Sequence, residues 1–272
     1  MFKTNSRYVI VLMLTMMVGF FPFQGRVSAN SVAVSPSTVE LTATPGTPFQ
    51  VQLEVYGAPD QNLRAKAYLY DYEFDLQGQV VLYKSGGVLP RSAAPWVTVN
   101  PGDFLIPAGE KSIITINGVV PEGTPGGDYW SMFFVEIFPF SRLQTTGMVV
   151  SGRVGGSFTI TVPGSNGPKG KITALDVKCS PGLQKKKISG KINFLNEGDV
   201  IVRPSGRVEI RSMDNQVLEE ILIPPVKIHP KFTREIAFEE EINLADGSYV
   251  ALAILDYGGE KLAGYPSVFR VE

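Results

Sequence analysis

The chain has one cysteine and one histidine in 272 residues, and only 19% of its residues are charged. Each scarcity excludes something. One cysteine cannot close an intramolecular disulfide, and one cysteine with one histidine cannot supply the Cys/His set of a zinc or iron–sulfur site. No metal or cofactor is therefore expected. The charge is balanced as well as sparse, with 25 Lys+Arg against 26 Asp+Glu and a formal net of −1. That removes the basic footprint of a nucleic-acid binder. Sustained helical periodicity is also missing, because stretches near a 3.6-residue period are interrupted by Gly or Pro. What is plentiful is 28 Gly, 20 Pro and a 44% hydrophobic share. Such a composition suits short strands and turns, and an all-β binding or structural protein.

Residues 1–29 are expected to be a secretory signal peptide. Lys3 and Arg7 make a basic n-region, Tyr8 to Phe21 is an apolar run, and Val27-Ser28-Ala29 offers small residues for cleavage. The run is short for a bilayer span of about 20 residues. No cysteine follows it to carry a lipid, and no second apolar stretch of about 18 residues appears. The expected location is the periplasm or the cell surface. Cleavage there would leave 22 basic and 26 acidic side chains, and a core that must hold without disulfides.

Beyond the signal, period two dominates. Ser31 to Thr42 alternates around a break at Pro36, and Phe49 to Val55 alternates after the turn Pro45-Gly46-Thr47-Pro48. Leu63 to Phe74, Val80 to Tyr83, Trp96 to Val99, Ile113 to Ile116, Tyr129 to Phe138 and Phe158 to Val162 complete a first set. Gly164 to Lys169 (GSNGPK) has no apolar residue and reads as a linker. Seven further strands follow, beginning at Ile172, Lys187, Gly206, Val217, Phe232, Tyr249 and Ser267. Seven short strands in about 100 residues is the count of an immunoglobulin-like sandwich. The reading is two tandem immunoglobulin-like β-sandwiches, 30–163 and 170–272, joined by 164–169. Their charge densities differ: the first holds 7 basic and 11 acidic residues, while 164–272 holds 15 of each.

The halves also rhyme. In each, a Pro-containing turn (Pro107, Pro230) precedes an apolar strand, and a Gly/Asp corner then opens a later strand on a tyrosine, Tyr129 or Tyr249. A tyrosine there is placed for a tyrosine corner, in which the phenol bonds back to nearby backbone.

Trp96-Val97, Phe104-Leu105-Ile106-Pro107-Ala108-Gly109-Glu110, Val120-Pro121-Glu122 and Gly126-Gly127-Asp128-Tyr129 resemble the first domain of PapD-like periplasmic pilus chaperones. They are similar too to the peptidoglycan-binding domain of WxL-interacting surface proteins. The resemblance covers about 31–163; the second half matches only in general pattern, chiefly Asn196-Glu197-Gly198 and Pro204 to Val208. It implies a sandwich fold and a partner among exported pilus or surface subunits, or else peptidoglycan. It also implies a basic pair, one member in the first strand and one in the last strand of domain one, that holds a subunit's terminal carboxylate. The first strand here has no Lys or Arg; Arg153 stands near the last-strand position, and Arg64 or Lys66 would have to approach from elsewhere.

Candidate sites follow from this. Gly147 to Val154 (GMVVSGRV) is expected near an open sheet edge, with Met148, Val150 and Val154 apolar and Arg153 offering a cation to an incoming strand. Phe138 and Phe140, at a strand end beside a loop, form the best exposed apolar patch. Tyr68, Tyr70, Tyr72 and Phe74 share one strand face and are expected inward, with Asp71, Glu73 and Asp75 solvated opposite. Cys179 is expected as a small apolar strand residue. His229 lacks any sequence-placed nucleophile and acid, so no catalytic residue is expected. The sequence points to a non-catalytic envelope protein that pairs with extended polypeptide by β-augmentation, or alternatively to a surface adhesin that binds glycan.

Overall fold

The computed structural model describes residues 32–139, 152–181 and 185–272. The signal-peptide assignment lies outside the described residues, as do Phe140, Met148 and Val150. Seventeen strands are described. In the first half they are β1 (Ala33–Ser35), β2 (Thr38–Thr42), β3 (Pro48–Tyr56), β4 (Leu63–Phe74), β5 (Val80–Tyr83), β6 (Val97–Asn100), β7 (Asp103–Ile106), β8 (Lys111–Val119), β9 (Gly127–Pro139) and β10 (Gly152–Val162). In the second they are β11 (Gly170–Pro181), β12 (Lys186–Asn196), β13 (Ser205–Arg211), β14 (Val217–Ile223), β15 (Thr233–Ile242), β16 (Gly247–Asp256) and β17 (Ala263–Val271). No described helix is long and apolar enough to cross a membrane.

Each half is an immunoglobulin-like sandwich of two sheets. In the first, order β1-β3-β8-β6 faces order β2-β10-β9-β4-β5, with β7 also on β4. In the second, β11-β12-β15 faces β14-β13-β16-β17. Two cores result, one running from Val39 to Val162 and the other from Ile172 to Val271. Pro36 has no N–H to donate to a ladder, and the chain changes sheet there. β1 pairs with β3, whereas β2 runs parallel to β10.

Strand β7 is absent from the sequence reading. Its four residues lie between Pro101-Gly102 and Pro107, too few to show an alternation. It pairs with β4 from Leu63 to Lys66, where Ile106 adds a fully buried side chain to the core.

Both tyrosine corners are present. Tyr129 Oη donates to the Pro125 carbonyl at 3.0 Å and Tyr249 Oη to the Ala245 carbonyl at 2.9 Å, each four residues upstream.

The two sandwiches meet through a dense set of contacts. Arg91 pairs with Asp199 at 2.6 Å, and the Asp128 carboxylate accepts the Ile201 N–H at 2.6 Å. Glu40 pairs with Arg203, and the Leu76 carbonyl accepts the Glu235 N–H at 2.8 Å. Gly127 has φ of 131°, and a Cβ there would lie 2.4 Å from the Asp199 carbonyl oxygen. Only glycine meets both conditions without strain.

Candidate functional site

Strand β10 is the element on which a candidate site can be built. β9 takes its whole length on one side, from Gly152 to Val162. On the other side β2 takes only Ser157 to Thr161. The Ser157 N–H donates to the Ser37 carbonyl, and the Thr161 carbonyl accepts from the Ala43 N–H. Alternate residues of a strand present their backbone groups to the same side, so Arg153 and Gly155 face this side too. No described strand pairs with them there. At Gly156 the chain leading into β2 comes close, and a Cβ there would lie within 2.3 Å of the Ser37 oxygen.

The side chains beside this edge are set by register. β4, β9 and β10 are adjacent, and their residues line up in rows across the outer sheet face. Lys66, Glu136 and Arg153 form one row; Tyr68, Phe134 and Gly155 the next; Tyr70, Met132 and Ser157 a third. The Tyr68 and Phe134 rings stack at 5.7 Å, and the Arg153 guanidinium lies over Phe134 at 4.5 Å. Tyr68 Oη donates to Glu136 Oε2 at 3.2 Å. Burial pushes the Tyr68 phenol above its ordinary pKa, with the facing Arg153 opposing that shift. Phe134 reaches across to the edge because Gly155 leaves room for it: a Cβ at 155 would sit 2.6 Å from its ring.

The platform runs into the second sandwich. Tyr72, Trp130 and Thr159 continue the outer face, and His229 closes over Tyr72 and Trp130. Its ring lies 4.2 Å from Trp130, 5.0 Å from Phe74 and 5.2 Å from Tyr72, with Phe232 edge-on at 6.3 Å. His229 is 1% exposed, and neither ring nitrogen has a hydrogen-bond partner among the described residues. Desolvation, aided by nearby Lys227, depresses its pKa to about 3.

Three sequence expectations change here. The face of Tyr68, Tyr70, Tyr72 and Phe74 points outward, because Leu63, Ala65, Ala67 and Leu69 fill the core from the opposite face. Asp71 shares that inner face and is fully buried, not solvated. It accepts the Val88 and Leu89 N–H groups at 2.7 and 2.8 Å and the Ser92 hydroxyl at 2.5 Å, which ties down the loop that delivers Arg91 to Asp199. Val154 packs its side chain against the first core and turns its backbone groups toward β9, so it offers an incoming strand neither. Phe138 is on the outer face and 37% exposed, level with Arg64. Cys179 sits on β11, half-buried against the second core, where burial pushes its thiol up. The part sequence reasoning missed is His229 and its aromatic box. The alternating aromatics of β4 were the available signal, on the face assigned to the core.

Comparison with known proteins gives matches only among solved structures. No family model matches the sequence, and no curated protein matches it. The class 5 fimbriae chaperone CfaA is 15% identical, with 88% of this chain and 98% of that chain covered and a TM-score of 0.46. The Escherichia coli chaperone DraB is 15% identical, with coverages of 89% and 96% and a TM-score of 0.42. The CsuC–CsuE chaperone–tip adhesion subunit pre-assembly complex of Acinetobacter baumannii is 9% identical, with coverages of 87% and 97% and a TM-score of 0.43. The chain is similar to these structures over a length that takes in both of its sandwiches.

Proposed function

We propose that this is an exported, non-catalytic envelope protein that receives an extended segment of another exported protein along β10, in the manner of a chaperone for pilus or surface subunits. One observation carries the reading. The backbone groups of Arg153 and Gly155 face an edge that β2 leaves open, although β2 seals the same edge from Ser157 onward. An added strand gains main-chain hydrogen bonds at such an edge, and the flanking side chains select it. Arg153 also places a charge on the edge, a form of protection that suits a transient partner.

Site-specific photo-crosslinking in an exporting host tests this. A benzoylphenylalanine at position 153 is expected to capture exported subunits, identified by mass spectrometry, while one at exposed Thr98 in the opposite sheet captures none. Equal yields at both positions, or none at 153, would overturn the reading. Arg153→Pro removes one edge N–H and leaves the ladder to β9 intact; it is expected to fold and no longer to co-purify with the subunits that the crosslink at 153 identifies.

A further inference from the structure

The chemistry around the edge constrains what sequence it accepts. The first half is acidic as a whole, with 7 basic against 11 acidic residues. Yet Arg64, Lys66 and Arg153 gather on one corner of its outer face, in the two rows nearest the start of the described part of β10. None of the three has an ion-pair partner within 4 Å among the described residues. Glu136 is the single acid between them, and the hydrogen bond it accepts comes from the Tyr68 phenol. A side chain arriving beside Arg153 therefore meets an excess of positive charge, three cations against the one carboxylate of Glu136.

The next row is apolar. Gly155 has no side chain, and the Phe134 ring covers it and extends to the edge. Behind that ring stand Tyr68 and Tyr70, each 5.7 Å away. A side chain arriving beside Gly155 meets aromatic carbon. In an added strand, the residues that face these two rows are two positions apart, because side chains alternate between faces.

We propose that the edge selects an extended segment with an acidic residue and a bulky apolar residue two positions apart, the acid set against Arg153 and Lys66 and the apolar group on Phe134 over Gly155. The inference rests on the β10 reading above and names the partner sequence that reading leaves open. The selecting acid is an internal side chain, so the recognition does not need a chain terminus. Arg153 then acts twice, releasing part of its stack on Phe134 as it pairs with the incoming carboxylate.

The test uses the full chain and nine-residue peptides of alternating Thr and Val with both ends blocked. Two positions two apart carry Asp and Phe, Lys and Phe, Asp and Ser, or Lys and Ser. Amide NMR of Arg153 and Gly155 locates binding, and titration gives relative affinity. Each matched contact is expected to contribute about two- to fivefold, the scale of a cross-strand pair, so Asp/Phe binds roughly tenfold tighter than Lys/Ser. Arg153→Glu is expected to invert the Asp-over-Lys preference and keep the Phe-over-Ser one. Phe134→Leu, which keeps an apolar group on Gly155, is expected to shrink the Phe preference alone. If all four peptides perturb the two amides with equal affinity, the sequence preference is wrong and the edge reading stands. If none perturbs them, the edge reading fails and the preference with it.

Discussion

His229 shows how much one residue can couple to conditions. Its pKa is about 3 in the folded chain, against about 6.5 for an ordinary imidazole. As pH falls below about 6.5 the unfolded chain takes up a proton that the folded chain cannot. The stabilising difference is therefore complete above that pH and is lost progressively toward pH 3. Between pH 7 and pH 5 the loss is about 2 kcal/mol, at 1.36 kcal/mol per unit. Urea melts of wild type and His229→Phe at the two pH values check this. The variant keeps a ring in the Trp130 stack without a titrating group, so wild type is expected to lose about 2 kcal/mol more than it does. Equal losses would mean that the imidazole is not held neutral. The tyrosine corners give a smaller effect. Tyr129→Phe removes a part-buried bond to Pro125 and is expected to cost about 1 kcal/mol. Tyr249→Phe removes an exposed bond to Ala245 and is expected to cost less, because water replaces it. A larger loss at Tyr249 in denaturant melts would contradict that ordering.

Elements were legible where one periodicity acted alone. Phe49 to Val55 and the seven strands of the second half alternate because one face meets a core and the other meets water, and the structure has a strand at each of them. The failures share a cause. β4 has two buried faces: Ala65 and Ala67 lie against the first core, while Tyr72 on the other face is 1% exposed beneath His229 of the second sandwich. A rule that assigns polar residues outward then inverts the strand. Asp71 is polar and inward because the Val88 and Leu89 amides and the Ser92 hydroxyl satisfy it. Those partners are 17 to 21 residues away in sequence, and no local pattern reports them. At the edge, Gly155 and Gly156 each accommodate a specific neighbour that no local pattern announces. Gly156→Ala would drive a Cβ to within 2.3 Å of both the Phe133 ring and the Ser37 carbonyl. It is expected to cost about 1–3 kcal/mol as an overpacked site and to loosen β2. Faster amide exchange from Ser157 to Thr161 would report it; unchanged exchange there would show that β2 does not depend on that contact.

At the scale of the whole molecule, the open edge and the second sandwich are held in one frame by the contacts between the halves. The aromatic box around His229 and the Asp128–Ile201 bond lie along the same sheet face that carries the Arg153 and Gly155 rows, and the Arg91–Asp199 pair joins the halves beside them. The linker adds to this, since the Lys169 carbonyl accepts the Glu197 and Gly198 N–H groups. An interface with a buried ring stack and a buried carboxylate couples the two cores, so wild type is expected to unfold in a single calorimetric transition. His229→Ala empties the box, and Arg91→Ala leaves Asp199 with Lys231 at 3.3 Å as its described ion partner. Neither residue belongs to the core clusters from Val39 to Val162 or from Ile172 to Val271, so each sandwich keeps its own apolar interior in the double variant. The double variant is therefore expected to resolve into two transitions, one per sandwich, with the less stable half melting first. If it still unfolds in one step at a lowered midpoint, the box and the ion pair are not what couples the halves, and the remaining contacts between them, among them Asp128–Ile201, Glu40–Arg203 and Leu76–Glu235, carry the coupling.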